Sequence, residues 1–263
     1  MRKPLRECCL KKVSQHMTLA DKSLAFARSI GEEWQDRPGT DLRSFQQRYL
    51  YAQAFGTAHT ARGYWILHRE EQHHDCNLLA RNLLERIFNG RVASKSPRHA
   101  VELMTCELSE HIRRLRLFQR ELQHVPKEAT QTIERLESEL QVFLALLGTQ
   151  EAPQWDYHRR AVEAEISTWA YRGLYSEFSC YTHAGYEVGR PRELNKPSNL
   201  ADFIALLAPL DTAMFLHRLS CTETQCEIGA RYKTLYEEFR NEMLGEPTSE
   251  NRQLGAGGKS LPD

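Results

Sequence analysis

The fold is decided by residues 97–147, which read PRHAVELMTCELSEHIRRLRLFQRELQHVPKEATQTIERLESELQVFLALL. On both sides of Pro126, apolar residues recur mostly every three or four positions, the spacing of one face of an amphipathic helix. They are Leu103, Leu108, Ile112, Leu115, Phe118 and Leu122, then Ile133, Leu136, Leu140, Phe143 and Leu147. Since Ser96 and Pro97 are typical of a helix start and Pro126 opens a second helix, the pattern predicts an antiparallel helical hairpin over 97–148, with a coiled-coil-like seam.

The outer surface of this hairpin is expected to be densely charged. The charges include Arg113, Arg114, Arg116, Arg120, Glu134, Glu137 and Glu139. Such a surface either contacts a partner or is simply solvated, and the sequence leaves both interpretations open.

The same periodicity predicts helices before the hairpin. A first helix is expected over Met17–Trp34, and Pro38 and Gly39 then break the chain. Asp41 is a suitable N-cap for a second, long helix. A third helix is predicted to end near Asn89–Gly90, where the residue types favour a left-handed cap.

Beyond the hairpin, one helix is expected from about Ala161 to His183, and two or three more from about Leu200 to Leu244, with an interruption at Pro209. Residues 185–197 are expected to be irregular, with room for a short extended hairpin. The last residues, 245–263, hold almost no large apolar side chains and are predicted to be disordered. The sequence therefore predicts an all-α protein, a single multi-helix bundle over 1–244 followed by this tail.

Composition narrows the classes of function. The chain has 35 basic and 35 acidic residues, so it lacks the overall positive charge of many nucleic-acid binders. Its seven cysteines include no Cys-x-x-Cys pair, which indicates free thiols in a reducing compartment and predicts a cytoplasmic protein. No apolar segment follows the basic N-terminus, and no stretch approaches about eighteen uninterrupted apolar residues, so neither a secretion signal nor a membrane span is expected.

Two polar groups on otherwise apolar helices are the candidate functional residues. Arg81 and Glu85 lie one turn apart, on a flank of the third helix, where they can contact each other. A partly buried arginine keeps spare N–H donors, so Arg81 is also expected to reach a second helix.

The second group lies on the helix predicted around residue 175. Arg172, Ser176, Ser179 and His183 are spaced by four, three and four residues and so form one stripe. His183 could act as a general base or proton relay beside Ser179. With Arg81 and Glu85 these residues form a hydrogen-bond network, a binding site or a catalytic site. Arg172, Tyr175 and Ser176 are the candidates for ligand or partner binding.

These motifs resemble a known family. An Arg-x-x-x-Glu helix followed much later by Tyr-x-x-x-Ser-x-Tyr-x-His is similar to the bacterial helical proteins known as domain of unknown function five-six-seven-seven. The resemblance covers roughly Leu42 to His183 and carries over Arg81, Glu85, Tyr175, Ser179 and His183. It implies a helical fold and no particular reaction. Similar helical families often belong to bacterial defence or toxin systems, so a role in phage defence is an expectation by analogy.

Two enzymatic alternatives depend on short motifs that also occur by chance. A metal-independent ribonuclease of the HEPN type needs an Arg followed after four to six residues by His. The pairs Arg62–His68 and Arg69–His74 match this motif, but about three matches are expected by chance.

A di-iron site needs Glu-x-x-His elements. Three segments match this element, Glu70–His73, Glu71–His74 and Glu121–His124, and about one match is expected by chance. The first two lie in a very hydrophilic patch, so no metal centre and no cofactor are predicted; weak surface metal binding by His73 and His74 is the more plausible outcome.

The functional expectation is therefore broad. The sequence predicts a cytoplasmic helical protein that acts by binding a protein partner or by self-association. Whether it is an enzyme stays open. The alternative is an RNA-cleaving effector that uses His183, or His68, with a nearby arginine.

Overall fold

The computed structural model describes residues 3–35, 39–121, 126–166, 171–175, 178, 199–220 and 227–244. Within these ranges the regular structure is entirely helical, which confirms the all-α prediction. The helices are α1 (Lys3–Gln35), α2 (Leu42–Arg69), α3 (His73–Lys95), α4 (Pro97–Glu121), α5 (Lys127–Leu147), α6 (Tyr157–Glu163), a π-helical turn (Tyr171–Tyr175), α7 (Asn199–Ser220) and α8 (Glu227–Leu244). The predicted irregular segment 185–197 and the predicted tail 245–263 lie outside the described residues.

Helices α2, α3 and α7 form the centre of the bundle. Each packs against the other two, and α1, α4, α6 and α8 pack around them. Tyr64, Trp65 and Phe88 are fully buried here, within one hydrophobic core that also includes residues of α1 and α8. Burial of large aromatic side chains supplies much of the stability of such a core. An ion pair between Arg91 and the buried Asp211 joins α3 to α7.

The N-terminus of α2 is the one that the sequence predicts. The Asp41 carboxylate accepts hydrogen bonds from the backbone N–H groups of Arg43, at 2.8 Å, and Ser44, at 2.9 Å. These bonds satisfy two donors that a helix start otherwise leaves unpaired. They also hold the pKa of Asp41 below its usual value, with Ser44 the largest cause.

The predicted end of α3 at Asn89–Gly90 is wrong, because the helix continues to Lys95. Gly90 lies where α3 crosses α7, and a Cβ atom there would be 3.4 Å from the ring of Phe215. The glycine therefore lets two helices approach closely, and this packing offsets the low helix propensity of glycine. The contact between α3 and α7 therefore outweighs the local sequence pattern that favours a helix end at this position.

The predicted interruption at Pro209 is also wrong, since α7 is continuous from Asn199 to Ser220. Pro209 is buried within this helix. A proline removes one intrahelical hydrogen bond, and extensive burial against α2 and α3 keeps the helix intact.

Helix α7 is apolar enough, with a mean hydropathy of 1.4, and long enough to cross a membrane. Of that stretch, 67% is buried inside the bundle. Buried core helices of soluble proteins can have the same length and hydropathy as a membrane-spanning helix.

The single helix predicted from Ala161 to His183 is wrong in its first half. Helix α6 ends at Glu163, and Glu165 takes a left-handed conformation with φ of 57°. The backbone N–H of Ile166 donates to the carbonyl of Ala161 at 3.0 Å and closes the helix end, as in helix termini with a left-handed residue. The next described segment is the π-helical turn Tyr171–Tyr175.

The predicted hairpin is present as α4 and α5. The Ser96 hydroxyl accepts a hydrogen bond from the N–H of His99 at 3.1 Å, and Gly148 ends α5 with φ of 67°. Near this base, Phe143 and Leu147 of α5 share a small core with Phe45 and Val101. Farther out, Ile112 and Ile133 are the large buried side chains of the two helices. The distal half of the hairpin is therefore held together mainly by its own seam.

Candidate functional site

Arg81 and Glu85 form the ion pair that the sequence predicts. The Arg81 Nε atom lies 3.0 Å from the Glu85 Oε1 atom, one turn farther along α3. Their side chains are only 15% and 18% exposed. Two charges that are this well buried need partners for their remaining hydrogen-bonding atoms.

Two tyrosines provide those partners from other parts of the fold. Tyr175, in the π-helical turn, accepts a 3.0 Å hydrogen bond from Nη2 of Arg81 and donates one of 3.3 Å to Oε1 of Glu85. Tyr157, at the start of α6, donates a 3.0 Å hydrogen bond to the other oxygen of Glu85. The prediction that Arg81 reaches a second helical segment is confirmed. We call Arg81, Glu85, Tyr157 and Tyr175 the tyrosine cluster.

Ring packing holds the tyrosine cluster in place. The rings of Tyr171 and Tyr175, four residues apart in the π-helical turn, stack with centroids 5.2 Å apart. The Tyr157 ring lies 5.3 Å from that of Tyr175, and the guanidinium carbon of Arg81 lies 5.0 Å from the centre of the same ring. Aromatic and cation–π contacts of this kind add to the hydrogen bonds. The turn is thereby fixed against α3.

The electrostatics make the tyrosines hydrogen-bond donors. Burial raises the pKa of Tyr157 well above its usual range, and the neighbouring Glu85 carboxylate raises it further. The pKa of Tyr175 is raised for the same two reasons, burial first. Burial acts to lower the pKa of Arg81, but its bonds to Tyr175 and Glu85 outweigh burial and raise that pKa. Both phenols therefore stay protonated and Arg81 stays charged near neutral pH.

The other predicted site residues are only partly described. Arg172 is exposed on the π-helical turn. Ser176, Ser179 and His183 lie outside the described residues. The predicted stripe of Arg172, Ser176, Ser179 and His183 therefore stays a prediction. The structure brings together Arg81, Glu85 and Tyr175 from the two sequence signatures.

A second polar cluster, which sequence reasoning missed, lies next to the first. Oε1 of Glu107, on α4, accepts hydrogen bonds from Tyr49 OH at 2.9 Å, Asn89 Nδ2 at 3.1 Å and Arg160 Nη1 at 3.0 Å. The same Arg160 nitrogen donates to Asn89 Oδ1 at 2.8 Å. We call Tyr49, Asn89, Glu107 and Arg160 the arginine cluster. It joins four helices, α2, α3, α4 and α6.

Burial and charge also shape the arginine cluster. Burial, the largest single influence, acts to lower the pKa of Arg160, but Glu107, Tyr49 and Tyr157 together outweigh it and raise that pKa. Burial and Glu107 both raise the pKa of Tyr49. The guanidinium carbon of Arg160 lies 5.0 Å from the centre of the Tyr157 ring. Tyr157 therefore lies between the two clusters and contacts both.

The residues of the ribonuclease alternative on α2 are held apart. Arg62 forms a 3.0 Å ion pair with Asp21 of α1, whereas His68 lies 3.3 Å from Asp202 of α7. Each side chain therefore faces a different helix. Among the described residues, no three His, Cys, Asp or Glu side chains form a group that could hold a metal ion.

A comparison with protein families places this geometry in context. Residues 49–192, more than half of the chain, match DUF5677, a family of unknown function. The chain belongs to DUF5677. This is the family that the sequence resembled, and the matched segment contains both polar clusters and the helical hairpin. No curated protein and no solved structure matches the chain.

Proposed function

We propose that this DUF5677 protein acts by self-association, with the α4–α5 hairpin as the contact surface and a second copy of the chain as the partner. The proposal rests on the sorting of charge between the two helices. From His111 to Arg120, α4 carries four arginines and no acidic residue. From Glu128 to Glu139, α5 carries four glutamates and one arginine.

Sorted charge favours one mode of pairing. Two hairpins related by a two-fold axis can place α4 of each copy against α5 of the other, so that arginines meet glutamates twice. The alternative, α4 against α4, brings like charges together and is disfavoured. A two-fold contact is also the commonest symmetry of soluble oligomers.

Exposed apolar side chains on the hairpin support the same proposal. Phe118 is 66% exposed, Val142 50% and Leu117 46%. Aromatic side chains of this kind are common anchors of protein interfaces. Arg113 and Arg114 already pair with Glu110, and Arg116 pairs with Glu137 of the same hairpin. The charges left for a partner include Arg120, Glu134 and Glu139, which take part in no ion pair within the described chain.

The tyrosine cluster then has a positioning role. Its four side chains satisfy one another and fix the π-helical turn against α3. Tyr175, the last residue of this turn, is therefore held at a defined place on the bundle.

The molar mass in solution tests the proposal. We expect light scattering after size-exclusion chromatography to give twice the chain mass at high protein concentration. A Phe118→Ser variant is expected to weaken the dimer about tenfold or more, as for a central interface residue. Phe203→Ser is the matched control, because Phe203 is 45% exposed but lies on α7. A chain that stays monomeric at every concentration overturns the proposal.

The second candidate is an RNA-cleaving effector, supported by the hydrogen bond between Arg81 and Tyr175. That bond ties a basic side chain to the segment that continues toward His183. Incubation of labelled single-stranded RNA with the protein in the presence of a metal chelator tests this candidate. Cleavage that is lost in His183→Ala and kept in His59→Ala, a change of an exposed histidine on α2, supports it. Equal absence of cleavage in all three proteins excludes it.

A further inference from the structure

A cleft of about 880 Å³ lies between α4 and the segment that runs from Ala152 into α6. Glu107, Glu110, Arg113 and Arg114 line it from α4, and Arg160 lines it from α6. Its volume is within the range of small-molecule sites, about 300 to 1,000 Å³.

Arg160 lines this cleft and has N–H donors that no described residue accepts. Its side chain is 8% exposed. Nε donates to the carbonyl of Trp155 at 2.9 Å, and Nη1 donates to Asn89 and Glu107. A guanidinium has five N–H groups, and Nη2, with two of them, makes no hydrogen bond to any described residue. This nitrogen is the part of Arg160 that is available to a molecule in the cleft.

Glu107 offers an acceptor beside these donors. Its Oε1 atom takes all three hydrogen bonds of the arginine cluster, while Oε2 accepts none from the described residues. Arg160 and Glu107 thus pair through one nitrogen and one oxygen rather than through two parallel bonds. The pair leaves an N–H donor on Arg160 and a carboxylate acceptor on Glu107, and both residues line the cleft.

The rim of the cleft adds two arginines. Arg113 donates to both oxygens of Glu110 at 2.8 and 2.7 Å through Nε and Nη2, and Arg114 donates at 3.2 Å through Nε. These bonds hold the pKa of Glu110 down to about 2, with the Arg113 bond the largest cause. Two arginines share one carboxylate here, so both keep further N–H donors. The lining as a whole holds three arginines and three acidic residues, since Asp156 joins Glu107 and Glu110.

The geometry points to a nucleotide site in this cleft. Each nucleobase carries a hydrogen-bond acceptor and a donor side by side on its pairing edge, which complements Nη2 of Arg160 and Oε2 of Glu107. A phosphate group attached to the sugar would then lie near Arg113 and Arg114, because arginine binds phosphate through paired N–H donors. A simple anion would be repelled by Glu107, and the cleft is larger than a single amino acid needs.

Isothermal titration of the full chain with GMP, AMP, CMP and UMP tests this site, with inorganic phosphate and glycine as comparison ligands. We expect at least one nucleotide to bind saturably and more tightly than either comparison ligand. Glu107→Gln should weaken that nucleotide about tenfold or more, because it replaces the carboxylate acceptor.

A second variant changes only exposed residues, so that weaker binding cannot be attributed to loss of folding. Arg113→Gln/Arg114→Gln should weaken the nucleotide about tenfold but leave the corresponding nucleoside unchanged, since only the nucleotide carries a phosphate. Arg98→Gln is the matched control, an exposed arginine of α4 outside the cleft. The site is overturned if no nucleotide binds, if phosphate alone binds as tightly as the nucleotide, or if glycine binds and the nucleotides do not.

Discussion

Tyr157 and Glu85 are joined by a 3.0 Å hydrogen bond that ties α6 to α3. The same carboxylate also accepts from Arg81 and Tyr175. Three donors from three segments therefore depend on one acceptor. Removing that acceptor leaves several polar groups without a partner, whereas removing one donor leaves the others in place.

This asymmetry predicts unequal effects on stability. Glu85→Gln is expected to lower the free energy of unfolding by about 2–4 kcal/mol, since it leaves the Arg81 charge poorly compensated. Tyr157→Phe should cost about 1 kcal/mol, the net value of one hydrogen bond. Urea denaturation followed by circular dichroism measures both. Arg69→Ala, in an exposed ion pair with Glu70, serves as the control and should stay within about 0.5 kcal/mol of the unmodified protein. Equal costs for Glu85→Gln and Arg69→Ala would rule out a structural role for the tyrosine cluster.

The ion pair between α3 and α7 gives a second prediction. Arg91 donates two hydrogen bonds to Asp211, at 3.1 and 2.9 Å, and the Asp211 side chain is 6% exposed. Because Arg91 is itself 35% exposed, Asp211→Asn should cost about 2–3 kcal/mol rather than the full value for two buried charges. Glu70→Gln, in an exposed pair with Arg69, is the matched control. Urea midpoints that fall by the same small amount in both variants would contradict this account.

Stability should decrease as the solution becomes acidic. Burial and the neighbouring His68 lower the pKa of His73 below its usual 6.5, despite the opposing charges of Glu71 and Asp202. The unfolded chain therefore takes up this proton at a higher pH than the folded protein does. The contribution of His73 is fully present above about pH 6.5 and is lost as the pH falls through the lowered folded pKa.

The urea midpoint measured from about pH 7 down to about pH 5 checks this direction. We expect His73→Gln to reduce the fall in the midpoint, while His59→Gln leaves it unchanged. A midpoint that rises on acidification, or a slope that His73→Gln does not alter, would show that this histidine is not linked to folding.

Local pattern was sufficient for much of the fold. The three-four spacing predicted the α4–α5 hairpin, and Asp41 predicted the start of α2. The errors at Gly90 and Pro209 share one cause: both residues are typical of helix ends, but Gly90 is buried where α3 crosses α7, and Pro209 is buried within α7. A contact between helices that are distant in the sequence has no signal in a local pattern.

The residues of the candidate site also divide into those that the sequence predicted and those that it did not. Arg81 and Glu85 were predictable, because residues one turn apart on a helix can be recognised from spacing alone. Glu107 and Arg160 were not, since their partners come from four separate helices. The sequence showed only that each is a charged side chain within an apolar helical stretch. Such a pattern does not indicate which residue the side chain contacts.

Exchange of charge between two versions of the chain tests self-association most directly. One version carries Arg114→Glu and Arg120→Glu, which makes both hairpin helices acidic, and the other carries Glu134→Arg and Glu139→Arg, which makes both basic. We predict that each version alone is monomeric by light scattering and that an equimolar mixture has the mass of a dimer, because α4 of each copy then meets an oppositely charged α5. A mixture that stays monomeric, or separate versions that dimerise as well as the unmodified protein, would contradict the proposed pairing.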